Sequence, residues 1–119
     1  MKYLMLIKHA EDYRSQPIPS GLLDAMGEFV AEGLKSGVLK ETSGLKSSAD
    51  GFRLRTSRGK LHVTDGPFTE SKEIVGGYAM IEVASKEEAL DLARQFMELH
   101  RLHWPDFECE CELRPLEEM

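Results

Sequence analysis

The fold is decided by the stretch Lys2-Tyr-Leu-Met-Leu-Ile-Lys8, in which five consecutive apolar residues stand between two lysines. A strand with one face in water would alternate apolar and polar residues, so this strand is expected to be buried on both faces. The stretch from Ile74 to Ala84 is apolar on both faces in the same way, around Ala79 and Ile81. We therefore expect these two segments to be the central strands of a sheet.

Two helices are predicted on either side of the middle of the chain. The first should begin with Ser20 as its N-cap and run to about Gly37, because apolar residues recur in between at spacings of three and four. The second should open at the capping box Ser85-x-x-Glu88 and end before Pro105.

The remaining segments are predicted to be strands. Residues 38–45 are one strand, and residues 52–55 and 61–64 alternate with period two around a turn at Arg58-Gly59. The last strand alternates apolar residues at 107, 109, 111 and 113 with charged ones. The order is β-α-β-β-α-β with an extra β-hairpin, which predicts an α+β, ferredoxin-like fold.

Composition limits the classes of function. The chain has 119 residues, 41% of them hydrophobic and 30% charged, which predicts one domain over residues 1–119. A net charge of −6 argues against direct binding of nucleic acid. With two cysteines and no apolar run long enough for a membrane span or a signal peptide, we expect a cytoplasmic protein that does not associate with membranes.

A more specific signal is the stretch Asp65-Gly-Pro-Phe-Thr-Glu-Ser-Lys-Glu-Ile-Val-Gly-Gly-Tyr78. It resembles the signature of YCII-related proteins of the DGPF subgroup, Asp-Gly-Pro-Phe-x-Glu-x-Lys-Glu followed by Gly-Gly-Tyr. The first strand and the ending Glu112-Leu-Arg-Pro-Leu116 also resemble the first and last strands of that family. The resemblance covers nearly the whole chain.

The resemblance implies a dimeric α+β barrel, in which two ferredoxin-like sheets face each other with a cleft beside each sheet. Biochemical roles in this family are mostly unassigned. Some relatives carry a histidine in the first helix that is suggested to work with an aspartate as an acid/base pair. The first predicted helix here has no histidine, and the corresponding place falls near Met26.

Four residues in this motif are the predicted catalytic residues: Asp65, Glu70, Lys72 and Tyr78. Asp65 precedes a constrained Gly-Pro loop, where a carboxylate can act as a general base or can simply accept local backbone hydrogen bonds. Glu70 and Lys72 could tune each other in a pocket or form a solvated ion pair. Tyr78 could donate to an oxyanion or pack in the core.

Histidines and cysteines offer weaker candidates. His100 and His103 lie one helical turn apart and are weak candidate metal ligands, since the spacing shows no third ligand. His9 and His62 are further ionisable groups near strand ends. Cys109 and Cys111 are in phase with Phe107, which predicts buried, reduced thiols. Because there is no nucleotide-binding loop and no strong metal motif, the sequence predicts no cofactor.

Two functions are compatible with these residues. The first is an enzyme of lyase or isomerase type that moves a proton on a small molecule in a cleft near the Asp65 loop, as the resemblance implies. The second is a non-catalytic ligand-binding or regulatory accessory protein linked to sigma-factor-dependent transcription, an association that is also typical of the DGPF subgroup.

A homodimer is the predicted assembly, because a sheet with helices on one face leaves the apolar second face of its central strands uncovered. Charge patterning agrees with this: residues 42–62 carry a net charge of +4 and residues 106–119 a net charge of −5. The corresponding strands should lie at opposite edges of one sheet, so the two segments are expected to meet between copies.

Overall fold

Six strands and two helices follow one another in the computed structural model, which describes residues 1–11, 17–68 and 70–118. In chain order they are β1 (Lys2–His9), α1 (Ser20–Ser36), β2 (Leu39–Gly44), β3 (Phe52–Ser57), β4 (Lys60–Asp65), β5 (Ile74–Glu82), α2 (Lys86–His103) and β6 (Cys109–Pro115). A short 3-10 turn at Ser48–Asp50 precedes β3.

The main sheet has the strand order β2-β5-β1-β6, and every pair in it is antiparallel. The prediction that the two apolar stretches form the central strands is confirmed. Tyr3 and Met5 of β1 and Ile81 of β5 are buried together with Ala89 and Ala93 of α2. Val30 of α1 packs against the same cluster. Both helices therefore cover the same face of the sheet, which gives the predicted ferredoxin-like α+β fold.

The opposite face of the sheet, here called the open face, carries no helix. Period-two alternation places on it Leu4 and Leu6 of β1 and Tyr78 and Met80 of β5, which are half-buried. Lys8 and Glu112 flank this apolar strip with an ion pair of 2.8 Å. Neither helix of the described residues is long and apolar enough to cross a membrane.

The helix ends follow local hydrogen bonding. The prediction that Ser20 caps α1 is wrong: Pro19 takes the N-cap position, and its carbonyl oxygen accepts from the amides of Leu22 and Leu23. At the other end Gly37 adopts a left-handed conformation with φ 84°, as expected for a helix stop. The capping box of α2 is confirmed, since Ser85 Oγ accepts from the Glu88 amide at 3.1 Å.

The extra hairpin of β3 and β4 forms a sheet of its own. Its turn is the predicted one, with Arg58 at φ 52° and Gly59 at φ 75°. One face of the hairpin is apolar and largely exposed; its members, with their exposed fractions, are Phe52 (66%), Leu54 (56%), Leu61 (67%) and Val63 (64%). We call it the apolar hairpin face.

The base of the hairpin is held by Ser48, which is buried. The Ser48 amide and hydroxyl both donate to the Glu11 carboxylate, and Ser48 Oγ accepts from the Phe68 amide at 3.0 Å. The Gly66 amide donates to the Gly51 carbonyl at 2.9 Å. We call these five residues the hairpin anchor; they join the end of β1 to the loop that carries the Asp-Gly-Pro-Phe motif.

Arg53 of β3 extends the contacts of this anchor. Its guanidinium lies 3.7 Å from the centroid of the Phe68 ring and pairs with the Glu70 carboxylate. It also donates to Ser71 Oγ at 3.1 Å. The residues that follow the Asp-Gly-Pro-Phe motif are therefore bound to the hairpin itself.

The two cysteines lie on β6, and both are free thiols that are half-buried rather than fully buried. Their cross-strand partners are His9 and Ile7, so both thiols point toward the helix layer. Burial raises the pKa of Cys111 to about 11. At neutral pH this thiol is almost entirely protonated, as expected of a structural cysteine.

Gly66→Ala should destabilise the protein by about 3 kcal/mol or more, because a β-carbon there would lie 1.6 Å from the Ser48 carbonyl oxygen. Gly27→Ala on α1 is the matched control, since the added β-carbon would have no neighbouring atom within 4 Å. It should stabilise by about 0.5–1 kcal/mol through helix propensity. Urea denaturation measures both variants.

Ser48→Ala keeps this test decisive if the glycine variant does not fold. Loss of its hydroxyl leaves the partly buried Phe68 amide and the Glu11 carboxylate without that partner and should cost about 1–3 kcal/mol. Wild-type stability in both Gly66→Ala and Ser48→Ala would show that the anchor does not hold the loop.

Candidate functional site

A cavity of about 510 Å³ lies between the helix-covered face of the sheet and the two helices. Its walls come from β1 and β5, represented by Met5, Ile7 and Ala79, and from α1, represented by Leu22 and Met26. Nearly all of these side chains are apolar because they belong to the stripes that fold the helices onto the sheet. We call it the sheet–helix cavity.

One side of this cavity is an aromatic wall, whose rings are Phe29, Phe96, His100, Trp104, Phe107 and His9. Neighbouring rings are in contact along the whole wall. Phe96 meets His100 with ring centroids 4.8 Å apart, and Trp104 stacks on Phe107 at 4.3 Å. Aromatic rings in such contacts prefer other aromatic surfaces, so the wall suits a planar ring.

A β-bulge forms the polar end of the cavity. Ile7 pairs with Gly77 and Lys8 with Val75, so Gly76 is an extra residue on β5. Glycine inside a strand often marks such a bulge, because it has no side chain to pack. A β-carbon on Gly76 would lie 1.8 Å from His9 Nε2, which shows how closely the His9 ring packs on this backbone.

His9 is the last residue of β1 and is buried. Its Nδ1 is hydrogen-bonded to the Ala10 carbonyl at 2.8 Å, and its ring lies 5.4 Å from that of Phe107. Because a carbonyl oxygen can only accept, Nδ1 carries the proton in this hydrogen bond. His9 thus presents a fixed imidazole to the polar end.

His100 of α2 is also buried and lines the cavity. Its Nδ1 donates to the Phe96 carbonyl at 3.0 Å. Burial lowers the pKa of His100, so the ring is neutral at pH 7. Within residues 1–11, 17–68 and 70–118, no hydrogen bond is made to His100 Nε2. Every completely buried side-chain nitrogen in these residues has a hydrogen-bond partner, so Nε2 is not one of the completely buried atoms. Nε2 therefore keeps accessible surface at the cavity.

Tyr78 is the one predicted catalytic residue among those that border the cavity, but its side chain lies on the open face, opposite Leu6. Its hydroxyl donates to the Glu41 carboxylate at 3.0 Å. This hydrogen bond, together with partial burial, raises the pKa of Tyr78. The hydroxyl is therefore a weaker proton donor than in a free tyrosine, and it is directed to β2.

The other three predicted residues, Asp65, Glu70 and Lys72, do not line this cavity and are exposed. Asp65 ends β4 beside the hairpin anchor. Glu70 pairs with Arg53, and a hydrogen bond from its own backbone, followed by that arginine, lowers the pKa of Glu70. The structure thus separates Tyr78 from the other three, whose catalytic role remains a prediction.

The candidate metal ligands also lie in different surroundings. His100 faces the cavity, whereas the His103 ring packs toward Gly21 of α1 and is exposed. In the described parts of the chain, no group of three or more histidine, cysteine or acidic side chains is placed to hold a metal ion. His62 is exposed on β4.

One protein family matches most of this chain. The sequence model of the YCII-related domain matches residues 1–97. The chain belongs to the YCII-related family. This YCII-related protein is also 41% identical over 61 residues to an uncharacterised protein of Rhizobium meliloti (strain 1021). The match covers 51% of this chain and 49% of that protein, so the chain matches about half the length of its curated relative.

The sequence reasoning missed the aromatic wall of this YCII-related protein. Phe96 and His100 share one side of α2 because they are four residues apart, and Trp104 follows at the same spacing directly after the helix. That spacing was a detectable signal for His100. No sequence signal relates His9 to Gly76, because their contact depends on the pairing of β1 with β5.

Proposed function

We propose that this YCII-related protein binds a small, largely apolar molecule in the sheet–helix cavity. The observation that carries the proposal is a space of about 510 Å³ with apolar and aromatic walls. Ligand sites usually have volumes of about 300–1,000 Å³, apolar linings and a few polar groups that fix orientation. His9 and His100 are such polar groups here.

The alternative to a ligand is an unfilled or water-filled core. Native interiors pack as densely as organic crystals and contain few voids larger than one water molecule. Water is stable in a cavity only where it finds two or more polar partners. Water that enters this partly open space finds no side-chain hydrogen-bond partner along the walls formed by Met5, Ile7 and Phe96, so an apolar molecule that displaces it is favoured.

Met26→Phe should weaken binding of 2-phenylethanol about tenfold, because the larger side chain enters the cavity and overpacks it. Leu23→Phe is the matched control on the same helix, since Leu23 is 50% exposed and does not line the cavity. Nuclear magnetic resonance titration that follows the Trp104 indole signal gives the dissociation constants.

A titration in which wild-type Trp104 does not respond at millimolar 2-phenylethanol would contradict the proposed function. So would equal weakening by Met26→Phe and Leu23→Phe, because the binding would then lie outside the sheet–helix cavity.

Acid–base chemistry of lyase or isomerase type is the second candidate function. It is favoured by His100, whose Nε2 is an accessible proton acceptor beside an apolar space. A neutral imidazole can remove a proton from a carbon next to a carbonyl group and return it. In this proposal His100, rather than Asp65, is the base.

Wild-type protein in D₂O should accelerate exchange of the α-protons of phenylacetone, and His100→Gln should abolish the acceleration. The exposed His62→Gln variant is the control and should retain it. Because burial lowers the pKa of His100, the rate should stay constant as pH falls through about 6.5 and decrease only below that. Proton resonance intensities measure the exchange.

Binding of 2-phenylethanol without such exchange would favour the other function considered for this sequence, a non-catalytic binding module with an accessory role in sigma-factor-dependent transcription. Exchange that persists in His100→Gln would exclude this histidine as the base.

We also propose that the protein is a homodimer in which a second copy covers the open face and the apolar hairpin face. An isolated two-stranded hairpin is only marginally stable in water. The apolar hairpin face nevertheless exposes Leu61 and Val63 by 67% and 64%. Within the parts of the chain described, no ion pair joins the basic segment 42–62 to the acidic segment 106–118. Arg53 pairs with Glu70 instead, whereas Arg55, Arg58 and Lys60 form no ion pair with another described residue and are available to a partner.

Val63→Glu should raise the dissociation constant of this dimer at least tenfold, because it places an unpaired charge in a buried contact. Thr64→Glu is the control, since the neighbouring residue carries the same new charge on the opposite face of β4. Light scattering over a range of protein concentrations measures the assembly. A wild-type protein that is monomeric throughout would contradict the dimer.

A further inference from the structure

We infer that the molecule bound in the sheet–helix cavity is an aromatic anion, with its ring on the aromatic wall and its charged group held by Lys46. This inference rests on the proposed function and specifies its ligand. The expected ligand carries a carboxylate on a planar ring. An ammonium group binds the carboxylate, and aromatic side chains stack on the ring.

The preference for an aromatic ring follows from how the chain distributes its rings. Three of its 5 phenylalanines and its only tryptophan line this one cavity. Phe29 continues the wall on α1, with its ring centroid 5.6 Å from that of Phe96. A planar ligand therefore meets rings from α1, from α2 and from the segment before β6.

The preference for an anion follows from the charges. Among the lysine, arginine, aspartate and glutamate side chains of the described residues, Lys46 is the one that lines the cavity. Its ammonium group forms no ion pair with any of them. No carboxylate on the cavity wall competes for it, so a ligand carboxylate is the complementary group.

The backbone places Lys46 at the polar end. Gly44 pairs with Gly77, and the Leu45 amide donates to the Gly76 carbonyl at 2.9 Å. These two contacts hold the end of β2 along the bulge on which the His9 ring packs. The chain therefore continues to Lys46 beside the bulge, and Lys46 lines the cavity there.

The total charge of the protein makes this inference easy to test. A net charge of −6 repels anions from the molecule as a whole. A carboxylate that binds better than its uncharged counterpart must therefore be recognised by a local cation. The net charge of the protein alone would instead favour the uncharged probe over the carboxylate.

The test compares three probes of similar size at low ionic strength. Phenylacetate carries the ring and the charge, 2-phenylethanol carries the ring alone, and cyclohexylacetate carries the charge alone. Phenylacetate should bind about fivefold more tightly than either of the others, as expected for one partly exposed charge-assisted contact and a stacked ring. The Trp104 signals report binding in each titration.

Lys46→Gln should remove the advantage of phenylacetate over 2-phenylethanol, because it should weaken the binding of phenylacetate more than that of 2-phenylethanol. Lys40→Gln is the control, because it makes the same change of net charge on β2 at a residue that does not line the cavity. It should keep the advantage.

Each outcome separates the inference from the function on which it rests. If 2-phenylethanol binds but phenylacetate binds no better, or if Lys46→Gln and Lys40→Gln behave alike, the anionic ligand is wrong and the cavity remains a binding site. If cyclohexylacetate equals phenylacetate, the aromatic part is wrong. If no probe binds, the proposed function fails together with the inference.

Discussion

The close contact between the His9 imidazole and Gly76 is the constraint on which the candidate site depends. A residue with a β-carbon at position 76 would meet His9 Nε2 at 1.8 Å, so the packing of the ring requires glycine at this position of the bulge. The carbonyl oxygen of the same glycine accepts a hydrogen bond from the Leu45 amide, and this bond holds the end of β2. One backbone position thus arranges the His9 ring, the polar end of the cavity and the end of β2 that leads to Lys46.

The Asp-Gly-Pro-Phe motif has a structural explanation that does not require catalysis. Gly66 fits where a side chain would strike the Ser48 carbonyl, and the Phe68 amide and ring are held by Ser48 and Arg53. These contacts connect the hairpin to β1 through Glu11. A motif can therefore be specific in sequence because it joins two parts of a fold, while the cavity lies elsewhere.

The order of elements could be predicted from the sequence because it depends on local patterns. Alternation identified the hairpin and β6, and the Ser85 capping box marked the start of α2. The predicted Ser20 cap failed because the Pro19 carbonyl already accepts the first helical amides, which propensity alone does not reveal. The cavity could not be predicted, since His9, Gly76 and His100 come together only through strand pairing and helix packing.

The location of a bound ligand tests the central claim most directly. A crystal grown with 4-bromophenylacetate would show the bromine by its anomalous scattering, independently of any assumed pose. We expect the bromine peak inside the sheet–helix cavity, against the rings of Phe96 and Phe107. A peak beside Asp65 at the hairpin anchor, with the cavity empty, would contradict the assignment of the site.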